Sequence, residues 1–178
     1  DPIVYQEQSP YQTIVLTKRG EQIRLFLNGH LQFASVDEFR YHEALVHPAM
    51  ALSNVRERIL IIGGGDGLTA REVLKYPDVE TVDLVDLDPA VTRLATRNTY
   101  MTALNDNALS RPEVQVHHAD GFSFLQKENP AYGVIIFDLP DPREEGLAKL
   151  YSREGYRLAK RILSPGGVIV TQATSPYF

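Results

Sequence analysis

Residues 59–67 read Ile-Leu-Ile-Ile-Gly-Gly-Gly-Asp-Gly, and this stretch decides the fold. Four consecutive aliphatics suit a strand buried on both faces, as strands of a parallel sheet are. The glycines that follow mark a tight turn into a helix, where backbone N–H groups can crowd a ligand at the helix N-terminus. Twenty residues beyond Asp66, a second apolar run ends at Asp86. A carboxylate there, at the end of the next strand, accepts ribose hydroxyls, so the two segments predict a nucleoside-binding α/β domain. Asp66 departs from the dinucleotide fingerprint. A carboxylate inside the loop repels phosphate and attracts a cation, which predicts a nucleoside bearing positive charge.

Outward from this loop the pattern alternates strand and helix. Strands are expected at Ile59–Ile62, Val82–Val85, Val114–His117, Val134–Phe137 and Val168–Gln172, with helices at Thr69–Lys75, Pro89–Tyr100, Phe122–Lys127 and Ser152–Leu163. Right-handed crossovers place such strands in one parallel, Rossmann-like sheet with helices on both faces. Upstream, Thr13–Lys18, Ile23–Leu27 and His30–Ala34 alternate as strands, and Asn28-Gly29 supplies a two-residue turn. The reading is a small N-terminal β-meander over residues 1–36 and a catalytic domain over residues 37–178. Asp37–Met50 reads as a helix that frays at Pro48. Pro140–Lys149, charged and rich in turn formers, reads as a mobile loop over the site.

Composition narrows the partners. The net charge of −5, from 18 basic and 23 acidic residues, argues against nucleic acid or an anionic membrane surface. With no cysteine, disulfides and thiolate metal sites are excluded, which fits a cytoplasmic setting. No apolar run approaches the ~20 residues of a membrane helix, so no membrane contact by this chain is expected. The start at Asp1-Pro2 is abrupt, as if a segment preceded it.

Carboxylates follow four of the expected strands: Asp66, then Asp86 with Asp88, then Asp120, then Asp138 with Asp141. A parallel sheet would gather these side chains at the carboxyl ends of its strands, where such sheets bind ligands. Any one of them could cap a helix, and Asp88-Pro89 fits that role best. Together they predict a cation site. No phosphate-cradling lysine accompanies the glycine loop, so neither a nucleotide–magnesium site nor any other metal site is expected. His30, His47, His117 and His118 read as structural, whereas His42 within Tyr41-His42-Glu43 does not.

The ordered series of segments resembles the polyamine aminopropyltransferases, the spermidine synthase family. The matching pieces are Tyr11-Gln12, Leu27-Asn28-Gly29, Gln32-Phe33, Asp37-Glu38, Tyr41-His42-Glu43, His47-Pro48, Ile61 to Gly67 with Arg71-Glu72-Val73, Val85 to Pro89, Asp120-Gly121, Asp138 to Pro142, Leu150-Tyr151 and Gln172. The resemblance implies transfer of an aminopropyl group from decarboxylated S-adenosylmethionine, a co-substrate rather than a bound cofactor, to putrescine or a similar amine. It places Gly63, Gly65, Asp66, Asp86, Asp120, Gly121 and Gln12 around the nucleoside donor. It places Tyr41, His42, Asp66, Asp138, Asp141 and Gln172 around the amine, with Asp138 as general base; crowding by Asp141 and partial desolvation suit proton acceptance near neutrality. Asp66 would discriminate by repelling the carboxylate of ordinary S-adenosylmethionine.

The resemblance also implies a homodimer, further strands beyond Phe178, and kinship with bacterial members fused to an N-terminal membrane region, which would anchor the full-length protein. Pro142-Arg143-Glu144-Glu145-Gly146 lacks the glycine–proline-rich segment of many relatives. Two rival readings remain: an S-adenosylmethionine-dependent methyltransferase of the same fold, and a noncatalytic polyamine- or nucleoside-binding domain.

Overall fold

Polar–apolar alternation in the first 34 residues produces a four-stranded antiparallel sheet in the order of the chain: β1 (Ile3–Gln8), β2 (Thr13–Arg19), β3 (Gln22–Leu27) and β4 (His30–Ala34). The computed structural model describes residues 1–140 and 145–172 of the chain. β1 is an addition to the three strands expected from sequence; none of its residues is buried, so it carries no apolar face to announce it. Asn28 and Gly29 turn β3 into β4 with φ of 50° and 77°, as a two-residue hairpin requires.

α1 (Glu38–Leu52) follows, and runs through Pro48 instead of fraying there. Proline removes one helical hydrogen bond, but Ala49 and Met50, 2% and 0% exposed, anchor the last turn in the core. Then come β5 (Arg58–Gly63), α2 (Leu68–Val73), β6 (Thr81–Asp86), α3 (Pro89–Arg97), α4 (Thr99–Leu104), β7 (Val114–His118), α5 (Gly121–Gln126), β8 (Tyr132–Asp138), α6 (Glu145–Leu150), α7 (Arg153–Arg161) and β9 (Leu163–Thr171). The single helix expected at Pro89–Tyr100 divides at Asn98, whose extended backbone ends α3 and whose side chain accepts the N–H groups of Tyr100 and Met101 to cap α4. α6 occupies the second half of the stretch expected as a loop and runs one residue past it. Residues 141–144, including Asp141, fall outside the described residues. Among the described residues no helix is long and apolar enough to cross a membrane.

The second sheet is parallel throughout, in the order β7-β6-β5-β8-β9. Alternate residues of its strands feed two cores. Ile59, Ile61, Leu84 and Ile136 pack with Val46 and Met50 of α1 and Val73 of α2. Leu60, Ile62, Val85 and Phe137 pack with Leu125 of α5 and Leu158 of α7. A third cluster joins Ile14, Leu16 and Leu25 of the N-terminal sheet to Val91 and Leu94 of α3. The chain winds outward from β5 through β6 to β7 and then returns to β8, so the switch point lies between β5 and β8.

At that switch point Gly63 and Asp138 are register partners. Gly63 has φ of 86°, and a Cβ there would overlap the Asp138 carbonyl oxygen and press to 2.8 Å from Leu139 Cδ2. Gly63→Ala is therefore expected to lose at least about 2 kcal/mol of stability, from left-handed strain plus backbone overlap. Urea unfolding should show a lowered midpoint at unchanged m-value.

Candidate active site

The glycine loop is closed onto its two neighbouring strand ends. The Gly64 N–H donates to the Asp138 carbonyl at 3.1 Å, and the Gly65 N–H donates to Asp86 Oδ2 at 2.9 Å. Asp86 Oδ1 accepts the Asp88 N–H at 2.9 Å. A Cβ at Gly65 would overlap the Asp86 carboxylate, so glycine is what permits this approach. Sequence reasoning assigned the N–H groups of this loop to a ligand; at Gly64 and Gly65 they serve the strand ends. The Asp66 carbonyl is held by Asn105 Nδ2 at 2.8 Å, and Asp66 Oδ1 accepts the Leu68 N–H at 2.9 Å.

Two carboxylates of the crevice, Asp66 and Asp86, lie within the field of Asp138. Burial pushes Asp66 up to about 6; His42 opposes the shift, and Asp138 and Asp86 add to it. Asp86 is also raised, chiefly by burial, with the N–H groups of Asp88 and Gly65 opposing and Asp88 and Asp138 adding. Asp138 Oδ1 accepts the Tyr41 hydroxyl at 2.7 Å, and Oδ2 accepts the Thr69 hydroxyl at 2.6 Å. A carboxylate offers about four lone-pair sites, so Asp138 retains capacity for an incoming N–H. Gln172 Oε1 lies 3.4 Å from the Tyr41 hydroxyl. Burial, and then Asp138, raise the Tyr41 phenol, which stays protonated as a donor.

Behind this group runs a chain of buried ion pairs. His42 Nδ1 is 2.8 Å from Glu38 Oε2, Glu38 accepts from Arg71 Nη1 at 2.8 Å, and Arg71 Nη2 reaches Glu72 Oε1 at 2.8 Å. Glu72 also meets Lys75 at 2.5 Å and His47 at 3.0 Å. Burial alone would raise Glu38, but the hydrogen bonds from His42 and Arg71 outweigh it and hold the carboxyl below its ordinary range. Burial would likewise lower His42, yet the Glu38 hydrogen bond and the fields of Asp66 and Asp138 raise it to about 8.

Other expected site residues take separate positions. Gln12 Nε2 donates to Asp88 Oδ2 at 2.9 Å, beside Ser9 Oγ at 2.7 Å, and Asp88 caps α3 through the Ala90 N–H. Asp120 caps α5 by accepting the Ser123 N–H at 2.8 Å, and Gly121 is buried against Ile62. Asp141 lies outside the described residues. His47 meets Tyr76, His117 meets Asp83 and His118 meets Thr92, all within 2.9 Å.

Sequence reasoning missed Thr69, Asn105, Glu38 and Arg71. Thr69 lies in the first turn of α2, directly after the glycine loop, so its position beside the site followed from the loop itself. The others depend on how α1, α2 and α4 pack, which no local pattern encodes.

Fold and site together define a Rossmann-like α/β protein of the methyltransferase type, with carboxylates instead of phosphate-binding groups at its switch point. The chain belongs to the spermine/spermidine synthase family: residues 38–178 match the spermine/spermidine synthase domain. It is 53% identical over 178 residues to the polyamine aminopropyltransferase of Oceanobacillus iheyensis, covering all of this chain and 35% of that one. It is 50% identical over 183 residues to polyamine aminopropyltransferase 1 of Streptomyces coelicolor, covering all of this chain and 34% of that one. The chain thus spans about a third of the length of the curated relatives it matches. Among solved structures, a spermidine synthase in complex with the transition-state analogue AdoDATO superimposes with a TM-score of 0.90 at 31% identity, over 98% of this chain and 59% of that one. The spermidine synthase of Thermotoga maritima superimposes with a TM-score of 0.88 at 32% identity, over 98% of this chain and 58% of that one.

Proposed function

We propose that the protein transfers an aminopropyl group from decarboxylated S-adenosylmethionine to putrescine or a similar amine, giving a spermidine-type polyamine and methylthioadenosine. The observation that carries this reading is the gathering of carboxylates at the switch point: the glycine loop that leads into Asp66 is bonded through Gly64 to the Asp138 carbonyl and through Gly65 to the Asp86 carboxylate, and the Tyr41 hydroxyl beside His42 donates to Asp138. Both substrates are cations, and a crevice of negative groups suits both. The solved spermidine synthase bound to AdoDATO, at 31% identity, supports the same use of this fold.

In this reading Asp86 receives the two ribose hydroxyls on the lone pairs its N–H partners leave free. Asp120, the Gly121 backbone and Gln12 face the base and sugar. Asp66 faces the donor's ammonium, and Tyr41, His42, Asp141 and Gln172 orient the amine. Asp138 takes a proton from the acceptor ammonium. The freed nitrogen attacks the carbon bonded to the sulfonium, the C–S bond breaks with its electron pair going to sulfur, and neutral methylthioadenosine leaves. No covalent enzyme intermediate is formed, and alignment supplies most of the acceleration.

Binding measurements test the donor assignment. Calorimetric titration should show decarboxylated S-adenosylmethionine binding at least about tenfold more tightly than S-adenosylmethionine, a gap of about 1.4 kcal/mol. Equal affinity, or preference for the carboxylated form, would contradict it.

A further inference from the structure

His42 is 3% exposed, and its Nδ1 lies 2.8 Å from both the backbone oxygen and Oε2 of Glu38. Both partners can only accept, so Nδ1 carries a hydrogen whatever the charge on the ring. The ring's proton is therefore gained or lost at Nε2. Glu38 cannot readily swing away, because Arg71 grips both its oxygens at 2.8 and 3.1 Å and is itself fixed to Leu104 O at 2.8 Å.

The carboxylates whose fields reach His42 are Glu38 on its own helix, Asp66 from the loop before α2, and Asp138 at the end of β8, which accepts the hydroxyl of the neighbouring Tyr41 at 2.7 Å. Tyr41 sets its ring edge-on at 4.9 Å. In the amine-free protein at neutral pH, these carboxylates share their surroundings with an imidazolium, whose titration lies near 8. An arriving alkylammonium seeks the same carboxylates. A second cation beside the ring disfavours the charged imidazole.

We propose that binding of the cationic amine displaces the Nε2 proton of His42 into solvent, converting a like-charged neighbour into a hydrogen-bond acceptor for the amine, with Glu38 as the positioning residue that fixes the tautomer. This rests on the amine-binding reading of the site. The device makes His42 a stand-in cation, present among the carboxylates until the amine takes its place. It also links amine affinity to pH through a group that is not the general base.

The test titrates putrescine into the intact protein saturated with methylthioadenosine, by calorimetry in buffers of different ionisation enthalpy. At pH 7 nearly one proton should be released per amine bound, falling away as pH rises through about 8. Between pH 6.5 and 7.5 amine affinity should tighten about tenfold per pH unit and then level off above the His42 titration. His42→Gln keeps an acceptor but cannot titrate, so it should lose the release that falls away through about pH 8, leaving only what Asp66, which titrates near 6, gives up toward the acid end of the range. Glu38→Gln retains an acceptor without the charge and should move the midpoint of release to lower pH. Nitrogen NMR of the labelled wild-type histidines gives an arm independent of either variant: both His42 nitrogens should carry hydrogen without amine, and only Nδ1 with it.

Putrescine binding to the wild type without proton release would overturn the inference while sparing the proposed function. Equal release from His42→Gln would do the same. Absence of putrescine binding even at pH 8.5 would overturn the amine-binding reading and the inference with it.

Discussion

Asp138→Asn is expected to lower kcat for aminopropyl transfer by about 10²–10⁴-fold while changing the donor KM only a few-fold. The substitution is nearly isosteric, and Asp138 sits where β8 abuts Gly63, held from both sides by the hydroxyls of Tyr41 and Thr69. An amide still accepts the Tyr41 proton on its oxygen, and the Thr69 hydroxyl can rotate to accept from the new NH2 group. The site therefore keeps its shape and loses its proton acceptor. An alkylammonium titrates near 10, as lysine does, and is inert as a nucleophile until deprotonated. Initial rates with donor and amine both varied, together with a melting temperature close to wild type, check the prediction. A kcat within about threefold of wild type would remove Asp138 as base.

Asp66→Asn should produce a split outcome, greater stability and poorer discrimination. Its carboxyl titrates near 6 in the folded protein against a reference of 3.8. Between those values it is ionised when unfolded and protonated when folded, so its contribution to stability declines as pH rises through that window. Above it, the folded state carries a penalty worth up to about 3 kcal/mol. Asn escapes the penalty, and the variant should be more stable than wild type at pH 7 by about 1–3 kcal/mol, with the difference vanishing below pH 4 where both states of Asp66 are neutral. Activity should move the opposite way. Affinity for the decarboxylated donor should fall about tenfold or more, and its margin over S-adenosylmethionine should shrink toward unity. Urea unfolding at pH 4 and 7, with paired donor titrations, measures both halves. An unchanged donor ratio would dissociate Asp66 from discrimination.

Much of the sheet was legible because its central strands, β5, β6 and β8, are buried on both faces. Ile59–Ile62 and Val134–Phe137 are uninterrupted apolar runs, and a parallel sheet obliges the aspartates after them to share one edge. The features that escaped have local reasons. β1 lacks a buried face, so its alternation is weak. Periodicity carries through Pro89–Tyr100, but Asn98 satisfies the Tyr100 and Met101 N–H groups better as a cap than as a helical residue. Proline rules end α1 early, whereas burial of Ala49 and Met50 extends it.

The site divides in the same way. Asp66, Asp86 and Asp138 could be placed from strand ends alone, and Tyr41 from its motif. The Glu38–Arg71–Glu72 chain could not, because residues 33 apart in sequence meet only when α1 packs on α2. The alliance of Gln12 with Asp88 was hidden similarly, since it depends on the N-terminal sheet docking against the start of α3.

Product analysis of the intact protein incubated with decarboxylated S-adenosylmethionine and putrescine tests the central claim most directly. The account predicts spermidine and methylthioadenosine in equal amounts by mass spectrometry, with the methyl group retained on the thioadenosine. S-adenosylhomocysteine and a methylated acceptor from ordinary S-adenosylmethionine, or tight binding of both substrates with no product, would contradict it.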